Sequence, residues 1–197
     1  MSIKDRKERE RHRLKEKILG ATGEIISERG VEHLTIRSLA EKIEYSPRTV
    51  YLYFRDKQEV LEALVEQKFR STFEKIQKIS NTVPAEDALR IQIEGHLRMA
   101  LAHPQTYRVL NHLLVTPSHI PGEYQIKVEN HAKDVLKRYT GQTESLETLA
   151  ATFLAALRGI SVSLVHASAT LSQEEIEQRI AAATGMLLRG IPTRHDE

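Results

Sequence analysis

The chain of 197 residues carries 29 Lys and Arg against 27 Asp and Glu, and it contains no cysteine. This length suits one mid-sized domain, or a small module joined to a larger one. The absence of cysteine excludes disulfide bonds, iron-sulfur clusters, thiolate zinc sites and a cysteine nucleophile, and it agrees with a cytoplasmic location. The chain has no apolar signal segment and no run of about 18 apolar residues, so we expect neither export nor a membrane span.

Positive charge gathers at the front of the chain. Residues 1–57 hold 14 Lys and Arg against 10 Asp and Glu, and residues 1–17 hold eight against four. A basic arm of this kind can neutralise nucleic-acid phosphates. The same mixture of Lys, Arg and Glu at helical spacing is typical of a solvated helix end. Both interpretations stay open.

Apolar residues recur with a helical period along nearly the whole chain, which predicts an all-α protein of about nine helices. The first helix should run from the basic arm to Arg29 and end at Gly30. Thr35 should cap a short second helix that ends near Ile43. Ser46 should cap a third, with Pro47 in its first turn, that reaches about Phe54.

Six further helices follow in chain order. A long one starts near Asp56 and stops before Pro84; another covers residues 85–102, and a third carries Tyr107. Residues 116–122 should form a loop. A helix closed at Gly141 comes next, then one capped by Thr143, and the last begins at a capping box on Ser172.

Two short helices around a tight turn, supported by a longer one, have the geometry of a helix-turn-helix. In residues 35–57 one set of positions is apolar and should face the core: Ile36, Leu39, Ala40, Ile43, Val50 and Phe54. A second set should be exposed on the second short helix: Pro47, Arg48, Thr49, Tyr51 and Tyr53. Arg48 is the strongest candidate for a base contact, because a guanidinium can bond guanine O6 and N7 together. The alternative is a plain helical corner with half-buried tyrosines.

The same stretch is similar to the tetracycline-repressor family of transcription regulators. The matching positions are Gly30, Leu34-Thr35, Leu39-Ala40, Ser46, Thr49-Val50-Tyr51-Leu52-Tyr53-Phe54, Lys57 and Val60-Leu61. The resemblance implies phosphate contacts by Thr35, Tyr51, Tyr53 and Lys57. It also implies that Arg37, Pro47, Arg48 and Thr49 approach the base edges.

Two positions depart from the family pattern. The turn usually carries Ala-Gly-Val but reads Ile43-Glu44-Tyr45, which places Glu where Gly would adopt a positive φ with little strain. Arg48 replaces a smaller residue before Thr49. The base preference of the family therefore does not transfer to this chain.

The resemblance divides the chain into a DNA-binding domain, residues 1–57, and a helical effector-binding and dimerisation domain, residues 58–197. His103-Pro104 with Tyr107, and Phe153 with Arg158-Gly159, resemble a C-terminal type with a Trp-x-x-x-His-Gly motif, in which Phe153 and Arg158 replace Trp and His and stand one residue further apart. Candidate effector contacts are Phe73, His96, Met99, Tyr107, Leu110, Tyr124, Phe153 and Arg158. Most of them are equally typical of core packing, but Arg158 in an apolar stripe requires an anion, either internal or from a ligand.

Small residues between Ala150 and Ala167 would let a second helix approach closely, as in a subunit interface or in ordinary packing within the chain. We found no phosphate loop, nucleophile elbow or metal-binding motif. The sequence thus predicts a homodimeric, ligand-responsive repressor without enzymatic activity, metal or cofactor. It would bind a palindromic operator in double-stranded DNA and be released by a small-molecule effector. The alternative is a helical adaptor or RNA-binding protein without operator specificity.

Overall fold

The computed structural model describes residues 3–116 and 120–192, and these form nine α-helices and one 3-10 turn, η1. This confirms the all-α fold class. The helices are α1 (Ile3–Arg29), α2 (Ile36–Ile43), α3 (Pro47–Tyr51), α4 (Lys57–Ser80), α5 (Ala85–Ala102), α6 (Pro104–Val115), α7 (Glu123–Thr140), α8 (Leu146–Ala167) and α9 (Gln173–Gly190), with η1 (Val31–His33) after α1. The predicted loop at residues 116–122 includes residues 117–119, which lie outside the described residues.

Helix starts follow the predicted caps at three places. The side chains of Thr35, Ser46 and Ser172 each accept a hydrogen bond from a backbone N–H in the first turn of α2, α3 and α9. Gly30, which follows α1, has a φ of 92°, and Gly141, which follows α7, has a φ of 67°. Glycine adopts such angles at little cost, so both helices end where predicted.

Two predicted boundaries are wrong. Helix α3 ends at Tyr51 rather than Phe54, because the chain tightens there and the amides of Tyr53 and Phe54 both bond to the carbonyl of Val50. Helix α8 begins at Leu146 without a cap from Thr143, since Ser145 before it takes a left-handed conformation with a φ of 61°.

The described residues fall into two compact units. The first runs through Gln67 and also includes the segment that begins at Arg108. Its core is formed by the apolar faces of α1, α2, α3 and the start of α4, and includes the buried residues Ile18, Ile25, Leu39, Ile43, Val50, Phe54, Leu61 and Leu64. The predicted functional division at residue 57 stays a prediction.

The second unit covers Lys68–Tyr107 and the segment that begins at Ile120. Helix α5 lies at its centre and packs against α7, α8 and α9. The core joins Leu89, Ile93 and Leu97 of α5 to Phe153 and Leu157 of α8 and to residues of α7 and α9. Among the described helices, α8 is long and apolar enough to span a membrane by length and composition, with a mean hydropathy of 1.7, a test that core helices also pass.

Candidate DNA-binding surface and effector site

The turn between α2 and α3 consists of Glu44, Tyr45 and Ser46. The amide of Tyr45 bonds to the carbonyl of Ala40 at 2.9 Å, and the amide of Glu44 bonds to that of Glu41 at 3.2 Å. This pair of hydrogen bonds is the Schellman arrangement that ends many helices. The two backbone hydrogen bonds therefore define the geometry of the turn without help from a side chain.

Glu44 takes the left-handed conformation that this arrangement requires, with φ 62° and ψ 41°. A side chain in this region costs roughly 1 kcal/mol relative to glycine, because Cβ approaches the backbone. The sequence comparison of Glu44 with the usual Gly pointed to this strain. The turn keeps its geometry despite the bulkier residue.

Helix α1 contacts the turn through the side chain of Lys17. Lys17 donates from Nζ to the carbonyl of Ile43 at 2.9 Å, and the same Nζ lies 5.1 Å from the ring centroid of Tyr45. Lys42 pairs with Glu24 and Glu28 at 3.1 and 3.2 Å. These contacts hold α2 and the turn on α1. The ring of Tyr45 stays 46% exposed beside Lys17.

Helix α3 presents a polar and aromatic surface. Val50 is buried, whereas Pro47, Arg48 and Tyr51 are exposed. Arg48 makes no hydrogen bond or ion pair within the described part of the chain, so its guanidinium is free to bond an outside acceptor. Leu52, which the sequence did not single out, is the most exposed apolar side chain of this segment at 70%. Its position in the Thr49–Phe54 pattern was the available signal.

The other predicted contacts are partly engaged within the protein. The hydroxyl of Thr35 accepts a bond from the Ser38 amide at 2.9 Å, and that of Thr49 lies 3.0 Å from the hydroxyl of Ser46. Arg37 is highly exposed and pairs with Glu41 on the next turn at 3.2 Å. Tyr53 is half-buried.

Lys57, the first residue of α4, donates from Nζ to the carbonyl of Val31 at 2.7 Å. Burial lowers the pKa of this ammonium, and the nearby Glu32 partly opposes the effect. An ammonium has three donors, so one is used here and two remain. Lys57 therefore holds α4 to η1 in addition to any contact with DNA.

The effector candidates Phe73 and Tyr124 meet in the second unit. Their rings pack edge to face with centroids 5.8 Å apart. Phe73 packs in the same way on His131, at 5.7 Å. Burial lowers the pKa of His131, which lies 3.0 Å from the hydroxyl of Ser80 through Nε2. This group joins α4 to α7.

Three other candidates form a polar cluster. Nε2 of His96 lies 2.9 Å from the hydroxyl of Tyr107, and the two rings meet edge to face. Burial lowers the pKa of His96 to about 4, and the positive charge of Arg158 adds to the shift. Burial raises the pKa of Tyr107, while Ser161 and Arg158 oppose that change. His96 is thus neutral and Tyr107 protonated near neutral pH.

No hydrogen bond or ring contact joins the remaining candidates to this cluster in the described part of the chain. Met99 is buried on α5, and Phe153 belongs to the core of the second unit. Leu110 is half-buried and belongs to the first compact unit. Ser161, three residues after Arg158 and thus on the same helix face, was missed by the sequence analysis. Among the described residues, no three His, Asp or Glu side chains come together in a way that could hold a metal ion.

Residues 18–64 match the model of the bacterial regulatory proteins of the tetR family. The fatty acid metabolism regulator protein of Bacillus subtilis (strain 168) is 23% identical over 132 residues, which cover 66% of this chain and 64% of that protein. This match thus spans a little under two thirds of that relative's length.

Two solved structures share the fold. The fatty acid degradation regulator FadR from Bacillus halodurans superposes with a TM-score of 0.65 at 20% identity, over 89% of this chain and 98% of that chain. FadR from Bacillus subtilis, solved in complex with stearoyl-CoA, gives a TM-score of 0.66 at 17% identity, with 89% and 98% covered. At these identities the likeness shows the fold alone.

Proposed function

Because residues 18–64 match the tetR family of bacterial regulatory proteins, we propose that this chain is a member of that family and a cytoplasmic repressor, which binds a palindromic operator as a homodimer and leaves it when a small-molecule effector binds. The observation that carries the proposal is the exposed face of α3, where Arg48 is free of any partner among the described residues and stands beside exposed Tyr51. An unpaired guanidinium on a short helix after a tight turn suits the major groove.

The contacts divide by chemistry. We assign phosphate contacts to Thr35, Tyr51, Tyr53 and Lys57, and base-edge contacts to Arg37, Pro47, Arg48 and Thr49. Arg48 would determine sequence preference, because its two donors match a guanine. Arg37 would exchange its bond to Glu41 for one to the DNA, a small loss, since exposed pairs of this kind contribute little.

The basic end of α1 would add to binding without adding specificity. Its Arg and Lys side chains are exposed from Arg6 to Lys17. Each phosphate that they neutralise releases counterions, so affinity should fall steeply with salt.

The homodimer would be built on α8. Helix α8 exposes a row of small residues in register, Ala155, Ala156, Gly159 and Ser163, beside the exposed Val162. Because these side chains are small, a partner helix can approach α8 closely. Two-fold symmetry would place the two α3 helices about 34 Å apart, which matches one turn of DNA and a palindromic operator.

The effector would bind in the second unit, where seven of the eight candidate residues lie. Relatives that regulate fatty acid metabolism, one of them solved with stearoyl-CoA, support an acyl compound as the effector class. Helix α4 continues from the first compact unit into the second without a break. We therefore propose that the effector favours a state in which α4 has moved and the operator is bound weakly.

The test is quantitative footprinting on the DNA upstream of the protein's own gene. The parent chain should protect a palindrome, and its affinity should fall with rising salt. Arg48→Ala should weaken specific binding by about 5- to 100-fold with little change in salt dependence, and Arg48→Lys should not restore it, because a lysine cannot form the paired bonds. Arg90→Ala on the exposed face of α5 is the matched control and should bind like the parent.

The alternative of an adaptor or RNA-binding protein predicts a different result. It would show equal affinity for all duplexes at every salt concentration, and that outcome would contradict the repressor proposal. Addition of acyl compounds to the footprinted complex tests whether an effector releases the protein from the operator. Unchanged protection across a broad panel of ligands would argue against an effector-controlled switch.

A further inference from the structure

Arg158 lies partly buried on α8, between the core residue Leu157 and the exposed Gly159. Within the described residues it makes no hydrogen bond and no ion pair with Asp or Glu. Arg158 is half-buried, and a cation that is even partly removed from water is usually paired in proteins. The sequence left two sources open for the missing anion, and the described part of the chain supplies none.

The polar groups near Arg158 are neutral rather than acidic. Helix α5, which carries His96, packs against α8, which carries Arg158, and the charge of Arg158 lowers the pKa of both His96 and Tyr107, which places the three side chains in the same part of the second unit. His96 and Tyr107 are joined at 2.9 Å through Nε2 and the phenol oxygen, and Nδ1 of His96 has no partner in the described residues. Ser161, whose hydroxyl donates to the Leu157 carbonyl at 2.8 Å, adds a further polar group near Tyr107 and lowers the pKa of that phenol. The cluster thus combines one fixed positive charge with several hydrogen-bonding groups.

The groups beside this cluster are apolar. Met99 follows His96 by one turn on α5 and is buried, and Phe153 and Leu157 precede Ser161 on α8 and belong to the core. A ligand bound at Arg158 would therefore place its charged end among polar groups and its remainder against hydrocarbon. Small-molecule sites are usually built in this way, with a few polar groups that orient a mainly apolar ligand.

We propose that Arg158, supported by His96 and Tyr107, binds the oxyanion of an amphiphilic effector, a carboxylate or phosphate attached to an apolar chain. The proposal rests on the proposed function in assuming that the chain has an effector. The planar guanidinium can donate two parallel bonds to such a group, which an ammonium cannot. His96 Nδ1 and the Tyr107 hydroxyl would position the anion rather than neutralise it.

Calorimetric titration of the DNA-free protein tests this, with straight-chain carboxylates from octanoate to palmitate, their methyl esters and alkyl phosphates of equal length as probes. At least one anionic series should bind, and the ester should bind about 10- to 100-fold more weakly than its acid, as expected for losing charge-assisted hydrogen bonds. Stronger binding of the carboxylate or of the phosphate identifies the head group. If neither series binds, or if the ester binds as well as the acid, the proposal is wrong.

Two variants separate recognition from folding. Arg158→Gln should lose about 10- to 100-fold in affinity for the anion while its affinity for the ester stays unchanged. Arg158→Met should raise the thermal midpoint of the ligand-free protein, since it removes an unpaired cation, and should abolish the upward shift that the anion causes in the parent. Arg90→Gln is the control and should behave like the parent in both assays. Equal anion affinity of Arg158→Gln and the parent would overturn the proposal.

These measurements do not depend on DNA. A protein that fails to recognise an operator but binds the anion through Arg158 would contradict the repressor proposal and support this one. A protein that protects an operator but binds acid and ester equally would support the repressor proposal and contradict anion binding at Arg158.

Discussion

Glu44 shows how a single residue can oppose the conformation that its neighbours impose. The hydrogen bonds of Glu44 and Tyr45 to the end of α2 require a left-handed residue, and Glu44 adopts it with φ 62°. The contacts of Lys17 with the Ile43 carbonyl and the Tyr45 ring help to hold the turn. The residue therefore stores strain at the joint between the two short helices.

Replacing Glu44 by glycine should relieve this strain. We expect Glu44→Gly to raise the free energy of unfolding by roughly 1 kcal/mol, a gain of about 2 to 4 °C in the melting temperature for a chain of this size. The control is Glu41→Gly, which places glycine in the right-handed interior of α2 and should lower stability by about the same amount. A melting temperature of Glu44→Gly equal to or below that of the parent would show that Glu44 is not strained.

Residue roles were predictable from the sequence where they depend on neighbours in the chain. The caps by Thr35, Ser46 and Ser172 follow from side chains that bond three residues ahead. The bonds from Lys17 to Ile43 and from Lys57 to Val31 each span 26 residues. Such bonds depend on how helices pack, and no local pattern predicts them.

At the scale of elements, starts with a capping side chain and ends at a left-handed glycine were easier to predict than the end of α3 and the start of α8, which have neither. Helices α2 and α9 begin where a polar side chain can cap them. Helix α3 ends at Tyr51, where the amides of Tyr53 and Phe54 both bond to the Val50 carbonyl. The start of α4 follows at once, because the Arg55 amide donates to the Glu59 carboxylate at 2.6 Å and the Glu59 amide donates to the Asp56 carboxylate at 2.9 Å.

The C-terminal end of α4 is held by a cation from α7. Arg138 donates to the carbonyls of Ser80 and Val83 at 2.9 and 2.6 Å. Ser80 is the last residue of α4 and Val83 lies in the connection to α5, and cations favour helix C-termini, where carbonyls lack partners within the helix. Arg138 thus closes α4 at the point where the chain turns toward α5.

Removal of this contact should loosen the end of α4. Arg138→Ala should lower the free energy of unfolding by about 1 kcal/mol, a modest loss because the side chain is exposed. Backbone amides near Asn81 should exchange with solvent faster, as hydrogen exchange would show. Lys137→Ala, the exposed neighbour, should change neither quantity, and equal exchange rates in the two variants would exclude a capping role for Arg138.

For the whole molecule, the neutral His96 links stability to pH. An unfolded histidine titrates near 6.5, whereas His96 in the folded chain has a pKa of about 4. Between these values the unfolded chain binds a proton that the folded chain does not. The free energy of unfolding should therefore fall as the pH drops from about 6.5 to about 4, by up to about 3 kcal/mol.

Urea unfolding at a series of pH values checks this. His96→Asn should reduce the pH dependence in this window, and a parallel change at His131, whose pKa is also lowered by burial, should reduce it further. If the free energy of unfolding of His96→Asn depends on pH as steeply as that of the parent, the lowered pKa of His96 is not the cause of the pH dependence.

The proposed dimer can be tested at the small-residue face of α8. A Cβ atom at Gly159 meets nothing within 4 Å in the described chain, so Gly159→Arg should fold normally and block a partner helix. We expect a monomer by light scattering, unchanged helicity by circular dichroism, and operator affinity reduced by more than about tenfold because two half-sites are no longer held together. Asn130→Arg on the exposed face of α7 is the control and should stay dimeric.

The three caps of the first unit have a consequence for the order of folding. Thr35, Ser46 and Asp56 each bond to an amide three residues ahead, and contacts so close in sequence form rapidly. The same compact unit also includes the segment from Arg108, with Val109 and Leu113 buried. Residues 68–107 must therefore be synthesised, and a long loop closed, before its core is complete. A fragment that ends at Gln67 would have its caps but lack part of its own core.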